Sequence, residues 1–217
     1  MNWNELVSQQ GFAVQANVLA ATECAQLSML LPGAGPARSL LEQPWCAALA
    51  RRLRSECGLP PSLLAVQCTA FEKSDAHNWL VPLHQDLSIP VAARVDAPQL
   101  RGWSVKDGVQ FVQAPAALLA RMLALRLHLD PCGADDGALR VVPGSHRHGI
   151  LDAGAVQAAR ASLGETLCCL DTGGALLLRP LLLHASSNAT GASRRRVLHF
   201  LFGPPDLPTG LAWHMAV

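Results

Sequence analysis

Short stretches in which apolar residues alternate with polar ones recur along the chain. Residues 63–71 place Gln67 and Thr69 on one face, because successive side chains of a strand point to opposite faces. Residues 123–129 likewise place Arg126 and His128 opposite a face of leucines. Further strand-like segments, separated by turn residues, cover residues 138–142, 167–170, 175–178 and 195–202. Short strands at this spacing predict a mainly β core.

Helical spacing of apolar residues is confined to the N-terminal part of this pattern. Residues 20–31 carry it and end before a Pro-Gly pair, and residues 44–57 begin with Pro44 and end before Gly58. Neither segment carries a cluster of reactive side chains, so we expect both helices to pack as scaffold on the outer face of a sheet.

Residues 86–124 show little periodicity and are rich in proline and glycine. A long irregular excursion in a compact domain is usually a functional loop. We therefore expect residues 90–115 to form an irregular loop, which is either a lid over a site or a surface insertion without a role.

Composition narrows the class of protein. The chain has 217 residues, of which 50% are hydrophobic, and a formal net charge of +1. This length predicts a single domain over residues 1–217, and the near-neutral charge gives no reason to expect nucleic acid or an anionic membrane as partner. We expect a small-molecule substrate instead.

Cysteine usage and the apolar runs bear on the compartment. The seven cysteines are odd in number and show no C-x-x-C spacing, which favours free thiols in a reducing compartment. The N-terminus has no basic start followed by an apolar core, and charged residues or proline interrupt the apolar runs well short of a membrane span of about 20 residues. The expectation is a cytoplasmic protein.

The candidate chemistry begins at His84-Gln85-Asp86. On an extended backbone residues i and i+2 share a face, so the imidazole of His84 and the carboxylate of Asp86 can converge on one point. His184, which follows an apolar run, is the best candidate for a third ligand. Two histidines and one carboxylate suit non-haem Fe(II). The alternative is a chance triplet held by hydrogen bonds in the core.

Four blocks of the sequence resemble the phytanoyl-CoA dioxygenase family over about residues 11–203. They are HQD at residues 84–86, DGALRVVPGSH at 136–146, HASSN at 184–188, and Arg195. The resemblance implies an iron and 2-oxoglutarate oxygenase built on a double-stranded β-helix, the jelly-roll or cupin-like fold. It also implies that His84, Asp86 and His184 are both the metal ligands and the catalytic residues.

The resemblance also implies a set of residues that bind 2-oxoglutarate. Arg195, eleven residues after the distal histidine, corresponds to the arginine that pairs with the far carboxylate of 2-oxoglutarate in that family. Ser186 corresponds to a hydroxyl that bonds the same carboxylate, and Gln67 and Asn188 are further candidates. Alternation places Arg195 on the face opposite to Arg194 and Arg196, which we expect to be solvated, although either neighbour remains an alternative.

Four residues are candidates for contact with the substrate. Arg126 stands where relatives often have an aromatic residue, and it either meets a substrate carboxylate or pairs with an acid such as Asp130. Asn78, Trp79 and Trp103 border the expected mouth of the site. The histidine-rich segment 143–149 ends a strand in the resembled family without ligating iron, and we expect a structural role for it.

The activity that the resemblance implies is hydroxylation of an unidentified small molecule with O₂. The intact Asp86 favours hydroxylation, because halogenating relatives lack this carboxylate. Two alternatives remain open: a non-catalytic cupin-like protein that binds a metal or ligand, and a sensor of 2-oxoglutarate or oxygen. The sequence does not decide the oligomeric state.

Overall fold

The computed structural model describes residues 3–32, 37–75, 77–191 and 194–217. Over these residues the helices are α1 (Trp3–Gln10), α2 (Ala21–Leu30), α3 (Pro44–Glu56), α4 (Ala116–Leu119) and α5 (Ala153–Leu163). The strands are β1 (Phe12–Gln15), β2 (Leu64–Lys73), β3 (Val81–His84), β4 (Ser88–Val91), β5 (Arg101–Lys106), β6 (Val109–Gln113), β7 (Leu123–His128), β8 (Leu139–Val141), β9 (Thr166–Cys168), β10 (Ala175–Leu178), β11 (His184–Ser186) and β12 (Arg195–Gly203).

Two antiparallel sheets form the body of the protein. The larger sheet has the strand order β1-β10-β7-β12-β2, and the smaller one has the order β3-β11-β8-β9. From β7 onward the chain passes from the larger sheet to the smaller one and back twice. This winding between two sheets is the double-stranded β-helix, so the predicted fold is confirmed.

The N-terminal helices cover one face of the larger sheet. Leu49 and Leu53 of α3 belong to the same buried cluster as Leu125, Leu127 and Phe200 of the sheet. A second buried cluster includes the alternate residues of these strands together with residues of the smaller sheet. The two faces of β7 therefore serve different layers, with the leucines facing the helices. The prediction of scaffold helices on the outer sheet is confirmed.

The expectation of an irregular loop over residues 90–115 is wrong. Three strands from this region pair in the order β4-β6-β5 and form a third antiparallel sheet. Asp107 and Gly108 both have positive φ, 51° and 80°, which is the conformation of a tight two-residue hairpin turn. The turn residues that suggested a loop connect two paired strands, and the role of this sheet as a lid remains a prediction.

Three helices, α1, α4 and α5, were not anticipated from the sequence. Among the described residues, no helix combines the length and apolar character needed to cross a membrane.

All seven cysteines are free thiols, and six of them are buried.

Candidate metal and co-substrate site

Strand pairing brings the candidate metal ligands together. In the antiparallel pair of β3 and β11, His184 lies directly opposite His84, and the two imidazole centroids are 4.3 Å apart. Asp86 follows His84 by two residues, and its backbone N–H donates to the carbonyl of Pro180 at 2.9 Å. This bond fixes the chain beyond the end of β3. Three side chains from two segments that are 100 residues apart in sequence, at His84 and His184, thus meet at one point.

The donor atoms of these residues are spaced as a single metal ion requires. The Nε2 atoms of His84 and His184 lie 3.5 Å from the two carboxylate oxygens of Asp86, Oδ1 and Oδ2 respectively. All three donor atoms lie within 4.8 Å of one another. Among the histidine, cysteine and carboxylate side chains of the described residues, His84, Asp86 and His184 are the group of three whose donor atoms lie this close together.

Backbone carbonyls orient both imidazoles. Nδ1 of His84 lies 2.8 Å from the carbonyl of Pro82, and Nδ1 of His184 lies 2.9 Å from the carbonyl of Leu182. A carbonyl oxygen only accepts, so each Nδ1 carries the proton and each Nε2 keeps a lone pair that is available to a metal ion. Metal-binding histidines are commonly held in this way.

The electrostatics keep the carboxylate ionised. Burial would raise the pKa of Asp86, but the neighbouring His184, His84 and His199 outweigh it and hold that pKa well below its usual range. Burial lowers the pKa of His184 despite the attraction of Asp86. A neutral imidazole beside an anionic carboxylate is the protonation state that a metal site needs.

The three residues open into a cavity of about 390 Å³, a size typical of small-molecule sites. Its described lining carries five cationic side chains and a single carboxylate, that of Asp86. The cations are Arg38, Lys73, Lys106, Arg126 and Arg195. This imbalance of charge favours an anionic ligand.

The five cationic side chains form a cationic wall of the cavity, and Arg195 and Lys73 are its most deeply buried members. They lie opposite each other in the pairing of β12 with β2, and only 3% and 1% of their surfaces are exposed. Arg195 Nη1 donates to the carbonyl of Gly137 at 2.5 Å, while its Nε has no hydrogen-bond partner among the described residues. Lys73 Nζ donates to Ser186 Oγ at 2.6 Å. Arg195, Lys73 and Ser186 therefore form one buried group.

Lys73 was missed by the sequence analysis. Burial, and then the charges of Arg195 and Arg126, lower its pKa to about 8. The signal was available, because Lys73 continues the polar face of Gln67 and Thr69 by two further steps of two residues. The strand was predicted to end at Phe71, whereas β2 extends to Lys73.

Arg126 lies on β7 with its side chain in the cavity. Only 8% of its surface is exposed, and burial followed by the charge of Arg195 lowers its pKa to about 10. Its Nη1 donates to His199 Nδ1 at 3.3 Å, its guanidinium lies 5.5 Å from the ring centroid of Phe71, and its Nε has no described partner. His199, on β12, was also not anticipated as a member of the site.

The alternative that Arg126 pairs with Asp130 is wrong. Asp130 is held by Arg196, whose Nε and Nη2 donate to its two carboxylate oxygens at 2.7 and 2.6 Å. Arg196 is therefore a partly buried ion pair rather than the solvated charge we expected, because Asp130 lies beside it at the end of β7. Arg194 fits the expectation better, since 57% of its side chain is exposed and it pairs with Glu72.

The remaining candidates divide between the cavity and its surroundings. Gln67 and Trp79 line the cavity; Gln67 Nε2 donates to Thr69 Oγ1 at 3.1 Å, and Lys73 Nζ lies 5.4 Å from the ring centroid of Trp79. Asn78, Trp103 and Asn188 are not among the described residues that line the cavity. The three positions thus lack the cavity contact that we expected of them.

Each of these three side chains lies elsewhere for a structural reason. Asn78 exchanges two hydrogen bonds with the backbone of Ala189, at 2.7 and 2.9 Å, and so joins two surface loops. Trp103 packs against the guanidinium of Arg94, 5.4 Å from its ring centroid. Asn188 is exposed.

The histidine-rich segment 143–149 does not join the metal group. His146 Nε2 lies 3.2 Å from the carbonyl of Ser8, and Arg147 donates to the carbonyl of Gln9. The segment fastens the end of α1 to the smaller sheet, in agreement with the expected structural role.

Comparison with known proteins places this geometry in a family. Residues 34–197 match the phytanoyl-CoA dioxygenase family. A search of curated protein sequences gave no match.

Several solved structures are similar over nearly the whole chain. The apo form of EctD from S. alaskensis has a TM-score of 0.70 and 16% identity, covering 98% of this chain and 81% of that one. HygX from Streptomyces hygroscopicus with nickel and 2-oxoglutarate bound has a TM-score of 0.65 and 19% identity, covering 97% and 88%. The non-haem α-ketoglutarate-dependent carbocyclase SnoK from nogalamycin biosynthesis has a TM-score of 0.68 and 14% identity, covering 94% and 83%.

At these identities the structural likeness establishes the fold, and the family match covers most of the sequence. The chain therefore belongs to the phytanoyl-CoA dioxygenase family, a family of iron and 2-oxoglutarate oxygenases.

Proposed function

We propose that residues 1–217 act as a single Fe(II)- and 2-oxoglutarate-dependent dioxygenase that hydroxylates a small molecule. The observation that carries this proposal is the presence, in one cavity, of a three-donor metal group and a separate buried cluster of cations. A metal-binding protein without a co-substrate would have no use for the second feature.

The donor set fits iron(II). Two imidazoles with fixed Nε2 lone pairs and one ionised carboxylate are the ligands of the 2-His-1-carboxylate type, which leaves positions open. His84, Asp86 and His184 would hold the ion, and the carbonyls of Pro82 and Leu182 would keep both rings in place. When bound, iron(II) and 2-oxoglutarate together supply the redox chemistry that activates O₂.

The cationic wall fits a dicarboxylate. Among the described residues, Arg195 Nε has no hydrogen-bond partner and Lys73 has no acidic partner, so a carboxylate between them would receive charge-assisted hydrogen bonds. Ser186 Oγ donates to the carbonyl of Gly137 at 3.0 Å and accepts from Lys73, which fixes the lysine beside the arginine. We assign the far carboxylate of 2-oxoglutarate to these three residues.

Gln67 and Arg126 complete the part of the wall that we assign to the co-substrate and substrate. Both line the cavity, and Arg126 adds a third buried positive charge there. Asn188 has no cavity contact to support a role. Trp79 and Phe111 supply apolar surface to the lining, and they would exclude water from the reacting groups once a substrate is bound.

The proposal also specifies the type of reaction, which is hydroxylation. It rests on the intact Asp86, which the resemblance associates with insertion of oxygen rather than halogen. A carbocyclase with the same fold shows that the scaffold also serves ring formation. The identity of the substrate would decide between such outcomes, because fold alone does not fix function.

An anaerobic titration tests the proposal. Addition of Fe(II) and then 2-oxoglutarate should produce the visible charge-transfer absorption of an iron(II) chelate, and O₂ should then yield succinate. His84→Ala should abolish both signals, whereas His148→Ala, at an exposed position outside the cavity, should leave them unchanged. Metal binding without any response to 2-oxoglutarate would favour a cupin-like binding protein. Chelate formation without succinate under any substrate screen would favour a sensor.

A further inference from the structure

His199 lies between the metal group and Arg126. Its Nε2 is 4.0 Å from Asp86 Oδ2, and its Nδ1 is 3.3 Å from Arg126 Nη1. The arrangement follows from strand register, because Arg126 on β7 lies directly opposite His199 on β12. Both side chains line the cavity. The three residues thus form a chain that ends on a candidate metal ligand.

The chemistry of Arg126 decides the tautomer of His199. A guanidinium group has only donors, so the ring nitrogen it contacts must accept. Nδ1 of His199 is therefore the acceptor, and the ring proton resides on Nε2. That proton faces the carboxylate of Asp86.

The same tautomer determines what His199 can do beside a metal. A nitrogen that carries a proton has no lone pair for coordination. Without the contact to Arg126, a buried imidazole this close to Asp86 would be free to present an Nε2 lone pair to an ion. With the contact, Nε2 carries the proton and lies 4.0 Å from Oδ2 of Asp86, beyond hydrogen-bond distance, so His199 presents an N–H dipole to the liganding carboxylate instead of a competing lone pair.

We propose that Arg126 and His199 act as a positioning pair: Arg126 fixes the Nε2–H tautomer of His199, which keeps that imidazole out of the metal's coordination sphere and presents an N–H dipole to the Asp86 carboxylate across 4.0 Å. The proposal rests on the metal site of the proposed function. It gives a role to an arginine that has no acidic partner among the described residues, and it preserves the open positions of a three-ligand site.

A first experiment reads the tautomer in the metal-free protein. Nitrogen-15 NMR of histidine-labelled protein should show His199 as the Nε2–H tautomer. Arg126→Met, which keeps the length but removes the donors, should shift His199 toward the other tautomer, and Arg126→Lys should preserve the original one. Arg121→Met, at an exposed position, is the matched control and should change nothing. An Nδ1–H tautomer in the unchanged protein, or no response to Arg126→Met, would overturn the proposal.

A second experiment reads the consequence for the metal, with Co(II) as the probe. Arg126→Met and His199→Phe should each weaken Co(II) binding by about 10- to 100-fold, the range typical of residues that orient metal ligands. The double variant should lose no more than the larger single loss, because both changes break one chain of contacts. Multiplicative losses would contradict action through His199, and so would unchanged affinity in both variants.

A count of coordinated imidazoles separates this inference from the site itself. Pulsed EPR of the Cu(II)-loaded protein should detect two imidazoles, and three would show that His199 is a ligand. If the unchanged protein binds neither Co(II) nor Cu(II), the metal site falls and the positioning role falls with it, even where the NMR result holds. Spectral dispersion in the NMR experiment shows whether each variant is folded.

Discussion

The metal group and the co-substrate group occupy one cavity but are built in different ways. The metal group belongs mainly to the smaller sheet, where local backbone geometry brings His84 and Asp86 to one side and carbonyls two residues earlier orient both imidazoles. The co-substrate group consists of Arg195, Lys73 and Ser186. It belongs mainly to the larger sheet, where Arg195 and Lys73 meet only because β12 pairs with β2.

The two groups also differ in charge. The metal group carries one ionised carboxylate beside two imidazoles, so it attracts a cation. The co-substrate group carries two buried cations, with Arg126 as a third in the same cavity, and thus attracts an anion. Each half of the cavity is therefore unsatisfied on its own, and a metal with a dicarboxylate would satisfy both.

The largest effect should come from removing the carboxylate of the metal group. Asp86→Ala leaves two neutral imidazoles and no anionic ligand, so we expect metal affinity to fall by at least about 100-fold, the upper end for changes outside the coordination sphere. Isothermal titration with Co(II) measures this. Asp152→Ala, at the exposed N-cap of α5, is the control and should leave affinity unchanged. Retained metal binding in Asp86→Ala would break the assignment of the metal group.

The next effect concerns the buried arginine of the co-substrate group. Arg195→Ala should weaken 2-oxoglutarate binding by about 2–5 kcal/mol, the loss typical of removing one member of a buried charged pair. Calorimetry with the metal-loaded protein measures it. Arg194→Ala is the matched control, because its exposed guanidinium pairs with Glu72 outside the cavity. A large loss for Arg194→Ala or Arg196→Ala, with Arg195→Ala unchanged, would move the carboxylate to a neighbour.

Lys73 should make the co-substrate group sensitive to pH. Its pKa is lowered from 10.5 to about 8, so the folded protein releases this proton before the unfolded chain does. Affinity for 2-oxoglutarate should therefore decline as the pH rises through about 8, because the cation that attracts the carboxylate is lost. Lys73→Met should bind more weakly at neutral pH and lose this dependence.

The stability of the ligand-free protein should change with pH in the opposite sense. Between about 8 and 10.5 the unfolded chain holds more protons at this position than the folded one, so the Lys73 contribution to the free energy of unfolding rises with pH. Denaturant titrations of the unchanged protein and Lys73→Met measure it. An equal slope in the two proteins would show that Lys73 is not the titrating group.

The smallest effect should come from the rim of the cavity. Arg38 Nη1 lies 3.1 Å from Asp107 Oδ2, and this ion pair joins the turn between β5 and β6 to the segment before β2. It is largely exposed, so Asp107→Asn should change stability by less than about 1 kcal/mol. Chemical denaturation measures this loss. A change of several kcal/mol would show that the third sheet depends on this contact and would strengthen its interpretation as a lid.

Features of the fold and the site that depend on a few neighbouring residues could be predicted from the sequence. The i, i+2 relation of His84 and Asp86 and the alternation of Arg126 with its leucine neighbours required only an extended backbone. The breaks at Pro44 and Gly58 placed the ends of α3 within one residue. The third sheet was missed because its breakers were interpreted as loop residues, although Asp107-Gly108 is also a hairpin signal.

Periodicity and short motifs were enough to predict β2, β7, β8, β10 and β12, the faces of β2 and β7, and the resemblance to the family, because each of these depends on a short segment of the chain. Tertiary structure alone decided that Lys73 faces Arg195, that Asp130 takes Arg196 rather than Arg126, and that His199 lies between Arg126 and Asp86. The physical reason is register. Which residues of β2, β7 and β12 lie opposite one another depends on packing between distant strands, and no local pattern in the chain specifies it.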